Sequence, residues 1–76
     1  MKVYILEWAL YKGASWVVDS IYATKELAEA GAKAGTDLGV VIEFSQEPDF
    51  LGMKRWIAAG SDGEFRRIRE FEVETE

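Results

Sequence analysis

Residues 15–35 read SWVVDSIYATKELAEAGAKAG, and this stretch decides the fold. Ser15 to Ala23 is β-branched and aromatic, with no breaker, as a strand requires. Lys25 to Ala34 is built of alanine, glutamate and lysine, the residues that lose least on becoming helical. Thr24 stands between the two as an N-cap, although position 27 lacks the glutamate of a capping box. Gly35 supplies a C′ stop. Leu27, Ala30, Gly31 and Ala34 share one helical stripe and are the expected sheet-facing residues. That stripe is narrow and small-sided.

Upstream, residues 2–11 (KVYILEWALY) form a first strand. Lys12-Gly13-Ala14 is a short turn, so the first two strands make an antiparallel hairpin. Downstream, residues 39–45 hold VVIEF, a third strand with Val40, Ile42 and Phe44 on one face. Gln46-Glu47-Pro48-Asp49 reads as a loop, because Pro48 does not suit a central strand; Phe50 and Leu51 pack it down. Residues 53–59 (MKRWIAA) make a fourth strand, Gly60-Ser61-Asp62-Gly63 a turn, and residues 64–74 a fifth strand. Ile68 is out of phase with Phe71 and Val73, which a bulge near Arg69 would repair. A helix is the rival reading there, since Phe65, Ile68 and Phe71 are three apart; the preceding turn and the FEVET ending favour the strand. The expected architecture is a single α+β domain over residues 1–76, β-β-α-β-β-β, with one helix packed across a five-stranded antiparallel sheet.

Composition narrows the chemistry. The 76 residues are 49% apolar, too rich for a disordered chain, and contain neither cysteine nor histidine. Disulfides, thiolate metal sites and the commonest neutral-pH proton carrier are therefore excluded. No apolar run approaches a membrane span and no signal peptide precedes the first strand, so a cytoplasmic protein is expected. The net charge is −5: residues 1–38 carry four lysines against five acids, residues 39–76 five cations against nine acids. An acidic chain repels phosphate, so direct nucleic-acid binding is not expected.

Catalysis has no foothold. Glu7, Asp19, Glu43 and Asp49 are available carboxylates, but no spacing converges them as a hydrolase pair. Ser15, Ser20, Ser45 and Ser61 lack a lysine three residues on. The glycines form no phosphate loop. No catalytic residue, metal ligand set or cofactor is expected.

The opening hairpin is more informative. A sheet with one wet face alternates apolar and polar residues, yet here both phases are apolar. Tyr4, Leu6, Trp8 and Leu10 form one face of the first strand; Val3, Ile5, Ala9 and Tyr11 form the other, interrupted only by Glu7. Trp16, Val18 and Tyr22 oppose Val17 and Ile21 in the second strand. One ten-residue helix covers one face, so the other needs a curl of the sheet, a second copy or a foreign partner. Val3, Ile5, Tyr11, Val17 and Ile21 are candidates for a homodimer face. Trp56 and Arg55, with Tyr11, are candidates for partner binding. If the last two strands pair, Trp56, Arg55, Arg66, Arg67 and Arg69 can cluster as a basic-aromatic patch for a carboxylate or phosphate; pairing of the arginines with Glu64, Glu70 and Glu72 is the simpler alternative. Glu70, Glu72, Glu74 and Glu76 recur at every second residue, about 6.6–7 Å apart on a strand face. That is near the phosphate spacing of one DNA strand, so nucleic-acid mimicry competes with a solvated, charge-guarded edge.

The Ile21-Tyr22-Ala23-Thr24-Lys25-Glu26-Leu27-Ala28 junction and the MKVYILEW opening, with the ββαβββ layout, acidity, size and lack of cysteine, resemble the small orphan proteins of bacteriophages and mobile elements. These include anti-CRISPR proteins and other inhibitors of host defence. The resemblance implies a non-enzymatic inhibitor that occludes a partner protein such as a defence nuclease. An acidic nucleic-acid mimic, or a small oligonucleotide-binding module using Trp56 with Arg55, Arg66 and Arg69, is the alternative.

Overall fold

Thr24 does cap the helix: its Oγ1 accepts from the Leu27 N–H at 3.1 Å, and helix α1 runs Lys25–Ala34. These coordinates come from a computed structural model that describes residues 1–11, 13–36, 39–50 and 52–73, without the side chains of Asp49 and Phe50. Five strands surround the helix in sequence: β1 (Lys2–Ala9), β2 (Val17–Tyr22), β3 (Ser45–Phe50), β4 (Met53–Ala59) and β5 (Phe65–Glu72). They form one sheet in the order β2-β1-β5-β4-β3, and every neighbouring pair is antiparallel. The fold is α+β, with the helix lying across the sheet.

The helix sits closer to the sheet, and rotated, relative to its expected stripe. Ala28 and Ala32 are the buried helical residues, while Leu27 is 52% exposed and Ala30 and Ala34 face solvent. Large side chains from the sheet explain this. Tyr4, Tyr22 and Trp56 pack around Leu6, Ile68, Ala28 and Ala32, leaving room beneath the helix only for methyl groups. Gly31 is the tightest point: a Cβ there would overlap the ring and hydroxyl of Tyr22. Gly35 ends the helix without a left-handed turn, at φ −85°, and the Thr36 hydroxyl donates to the Ala32 carbonyl at 2.6 Å.

The third strand is displaced from its expected place. Residues 40–44 form no ladder, although their alternation survives: Ile42 is buried and Phe44 packs on the core, while Val41 and Glu43 are exposed. Ser61 holds this segment at Val41, donating from its backbone N–H to the carbonyl at 3.1 Å and accepting the Val41 N–H on Oγ at 3.0 Å. The strand proper lies at Ser45–Phe50 and includes Pro48. Proline is tolerated because β3 is an edge, and the register with β4 shifts between Glu47 and Phe50, where its missing N–H falls. β1 and β2 are also shorter than expected.

The expected bulge near Arg69 is not there. β5 pairs with β1 without a shift from Lys2↔Glu72 to Ala9↔Phe65. Ile68 lies on the helix side and Phe65 and Phe71 on the opposite side, each face of this central strand mixing an apolar anchor with charges, so the difference in phase needs no bulge. The irregularity lies instead between β1 and β2, where the register shifts at Leu6/Glu7 and leaves Asp19 as the extra residue. The turn residue Lys12, Leu51, and Glu74 and Glu76 of the acidic stripe fall outside the described residues, as does the Phe50 side chain.

Candidate interaction surface

Helix α1 is about 15 Å long at 1.5 Å per residue, and the molecule extends 42 Å. The helix touches β1, β2 and β5 on one side of the sheet; the other side has no covering element among the described residues. Its side chains follow from the ladder. One row runs Ile21, Ile5, Arg69, Arg55, Glu47 across all five strands; the next runs Val18, Glu7, Arg67, Ile57, Ser45. Val3 with Phe71, and Ala9 with Phe65 and Ala59, flank them. Ile21 is 62% exposed and Val18 is exposed with it; Val3, Ile5, Ile57 and Phe71 are half-buried.

In the middle of this mixed face lies a charged cluster. Glu7 is only 4% exposed. The Arg67 Nε donates to its Oε1 at 3.0 Å, and the Arg69 Nη2 donates to Oε2 at 3.3 Å. Arg69 also brings Nε to 2.6 Å from Oε1, off the hydrogen-bond axis. Each guanidinium rests on an aromatic ring: Arg67 lies 4.2 Å from the Trp16 centroid and Arg69 5.0 Å from that of Phe71. Arg55 and Arg69 are directly opposite, an unfavourable arrangement of like charges. Glu47 offsets it, 3.6 Å from the Arg55 Nε. A shallow groove of about 160 Å³ opens between Met53, Lys54, Phe71 and the three arginines.

The expected basic-aromatic patch is thus divided between two faces. Arg55 and Arg69 lie on the open face. Trp56 lies on the helix side, 6.2 Å from the Tyr4 ring and beneath the Lys25 ammonium at 5.3 Å. Arg66 is also on the helix side, where its Nη1 and Nη2 donate to the two Asp62 carboxylate oxygens at 3.0 Å each. Nη2 also reaches Glu64 at 3.2 Å. The Asp62 carboxyl is held down at about 2 by the Arg66 hydrogen bond.

The acidic stripe is also divided. Glu70 accepts the Tyr4 hydroxyl at 2.9 Å and lies 3.7 Å from the Lys2 ammonium; its side chain is 13% exposed. The Tyr4 phenol is raised above its ordinary value chiefly by that hydrogen bond. Glu72 is solvent-exposed and pairs with the chain's amino terminus at 3.1 Å.

The dimer candidates Val3, Ile5 and Ile21 fall together on the open face. Val17 pairs with Trp8 and so belongs to the other phase, with the bulge placing Val18 beside Glu7 instead. Tyr11 is exposed beyond the end of β1. Sequence reasoning missed Trp16, Glu7 and Arg67 as members of one site. The signal was Glu7 itself, the single charge in the Val3, Ile5, Ala9 phase, together with Phe65, Arg67, Arg69 and Phe71 in one phase of β5.

Among the described residues, no three acidic side chains gather as a metal site, and no helix is long and apolar enough to cross a membrane. No family model, curated protein or solved structure matches the chain.

Proposed function

We propose that this chain is a small cytoplasmic, non-enzymatic binding protein that docks its bare sheet face on a partner protein and occludes that partner's surface. A phage- or mobile-element-type inhibitor of a host defence nuclease is the setting its size, acidity and ββαβββ layout suggest. The observation that carries the reading is the face opposite the helix, where exposed Val18 and Ile21 and half-buried Val3, Ile5 and Ile57 flank a nearly buried Glu7 held by two arginines. Exposed apolar side chains grouped on one face mark interaction sites, and aromatic and arginine side chains are the usual anchors of protein interfaces. Mimicry of nucleic acid is less favoured, because Glu70 is committed to Tyr4 and Lys2.

Affinity capture tests the reading. Ile5→Asp/Ile21→Asp, with its fold checked by circular dichroism, should lose a species retained by the wild type. Leu27→Asp, on the solvent side of the helix, should retain it. Equal capture by all three proteins overturns the assignment of this face. A second copy of the chain is the competing occupant of the same rows: a stable dimer in sedimentation velocity that Ile5→Asp/Ile21→Asp dissociates would assign the face to self-association instead of a foreign partner.

A further inference from the structure

Resting on the docking role proposed for this face, we infer that the Arg67–Arg69 groove takes a carboxylate side chain from an acidic peptide segment of the partner, flanked there by apolar residues. The argument begins with charge balance. Among the described residues, Glu7 is the one anion shared by the guanidiniums of Arg67 and Arg69, and Lys54 also lines the groove, so positive charge is in excess there although the chain's net charge is −5. Arg55 is matched by Glu47 and contributes no part of that surplus. Two partly desolvated guanidiniums around one carboxylate are best completed by a second anion.

Geometry narrows the anion. Trp16 and Phe71 support the two guanidiniums from their faces, so the planar forks are pre-oriented and little freedom is lost when a planar carboxylate meets them. The groove holds about 160 Å³, below the range of pockets that enclose whole small-molecule ligands and suited to one acidic side chain. Met53 and Phe71 border it, and Ile5, Ile21 and Ile57 continue outward. A peptide with a single acid between apolar residues fits these walls; a polyphosphate strand, with a charge at every nucleotide, meets the chain's net negative charge more strongly and offers nothing to the apolar border. A second copy docked face to face would bring arginine against arginine, so the carboxylate comes from a different chain.

The intact protein with ¹⁵N-labelled arginine provides the test. The probe is the blocked tripeptide acetyl-Val-Glu-Ile-amide, with acetyl-Val-Gln-Ile-amide and a short oligothymidylate as comparisons. The glutamate peptide should shift the Arg67 and Arg69 Nε–Hε resonances saturably, with a dissociation constant on the order of millimolar. The glutamine peptide should bind roughly tenfold or more weakly. Arg69→Gln should weaken glutamate-peptide binding by a similar factor, and Arg69→Lys by less. Should Arg69→Gln not fold, the Glu/Gln peptide ratio on the wild type decides alone. Equal binding of the two peptides, or no shift at either arginine, overturns the inference. Saturation of the same resonances by oligothymidylate at lower concentration also overturns it, in favour of nucleic-acid phosphate. Failure here with capture still lost in Ile5→Asp/Ile21→Asp removes only the carboxylate assignment; unchanged capture in that variant removes the docking role itself.

Discussion

Glu7→Gln isolates the charge at the centre of the open face. Glutamine keeps the shape and still accepts a hydrogen bond, but it leaves Arg67 and Arg69 as like charges in a space with 4% exposure at its centre. Breaking a fully buried ion pair costs about 3–5 kcal/mol. The Arg67 and Arg69 side chains are 19% and 34% exposed, so water screens part of this and about 2–3 kcal/mol is expected. A chain of 76 residues has roughly 4–11 kcal/mol of total stability at about 0.05–0.15 kcal/mol per residue. The loss is therefore a large fraction of the whole. Urea denaturation followed by tryptophan fluorescence should show an unchanged slope and, for a slope of about 1 kcal/mol/M, a midpoint lowered by about 2–3 M. A midpoint within about 0.5 M of wild type would refute the reasoning, since the cluster would then be solvated and energetically idle.

Gly31→Ala should destabilise: the helix gains about 1 kcal/mol of propensity but overpacking against Tyr22 costs about 1–3 kcal/mol, and Tyr22→Phe in the same chain should recover part of the loss in thermal melts. A higher melting temperature for Gly31→Ala alone would mean the helix does not sit that close. Asp62, lowered from 3.8 to about 2 in the fold, contributes stability that is present above its unfolded value and lost as pH falls towards 2. Asp62→Asn should accordingly flatten that part of the acid denaturation profile. Tyr4, raised above 10.0, contributes stability below its unfolded value that is lost as pH rises through the folded one; Tyr4→Phe should remove the latest step of an ultraviolet phenol titration, and persistence of that step would assign it elsewhere.

The helix and β4 were legible because each carries its own local signal: a cap and alanine run in one, the apolar Trp56–Ala59 run before the Gly60–Gly63 turn in the other. The displaced β3 was not. Val40, Ile42 and Phe44 alternate as a strand should, and Pro48 argues against its own segment, yet pairing with β4 is decided by the partner's register and by the edge position that excuses the proline. The helix stripe failed for a similar reason, because Leu27 is the more hydrophobic candidate but Tyr22 already occupies the space. At the open face, the two-sided hairpin was plain from residues 2–11, while the meeting of Glu7 with Arg67 and Arg69 required knowing that β1 lies beside β5, some 60 residues away in sequence.

The strand order gives this architecture a particular biosynthetic timetable. β5 occupies the middle of the sheet although it is the last strand in the chain. As the polypeptide emerges, β1–β2 and β3–β4 can form as separate ribbons, but nothing joins them until β5 arrives and zips both together. Until then Leu6, Ala28 and Ala32 lack Ile68, the fourth member of their buried cluster. Once β4 is complete and until β5 arrives, the growing chain carries two unpaired inner edges, those of β1 and β4, and the sheet closes only when β5 fills the gap between them.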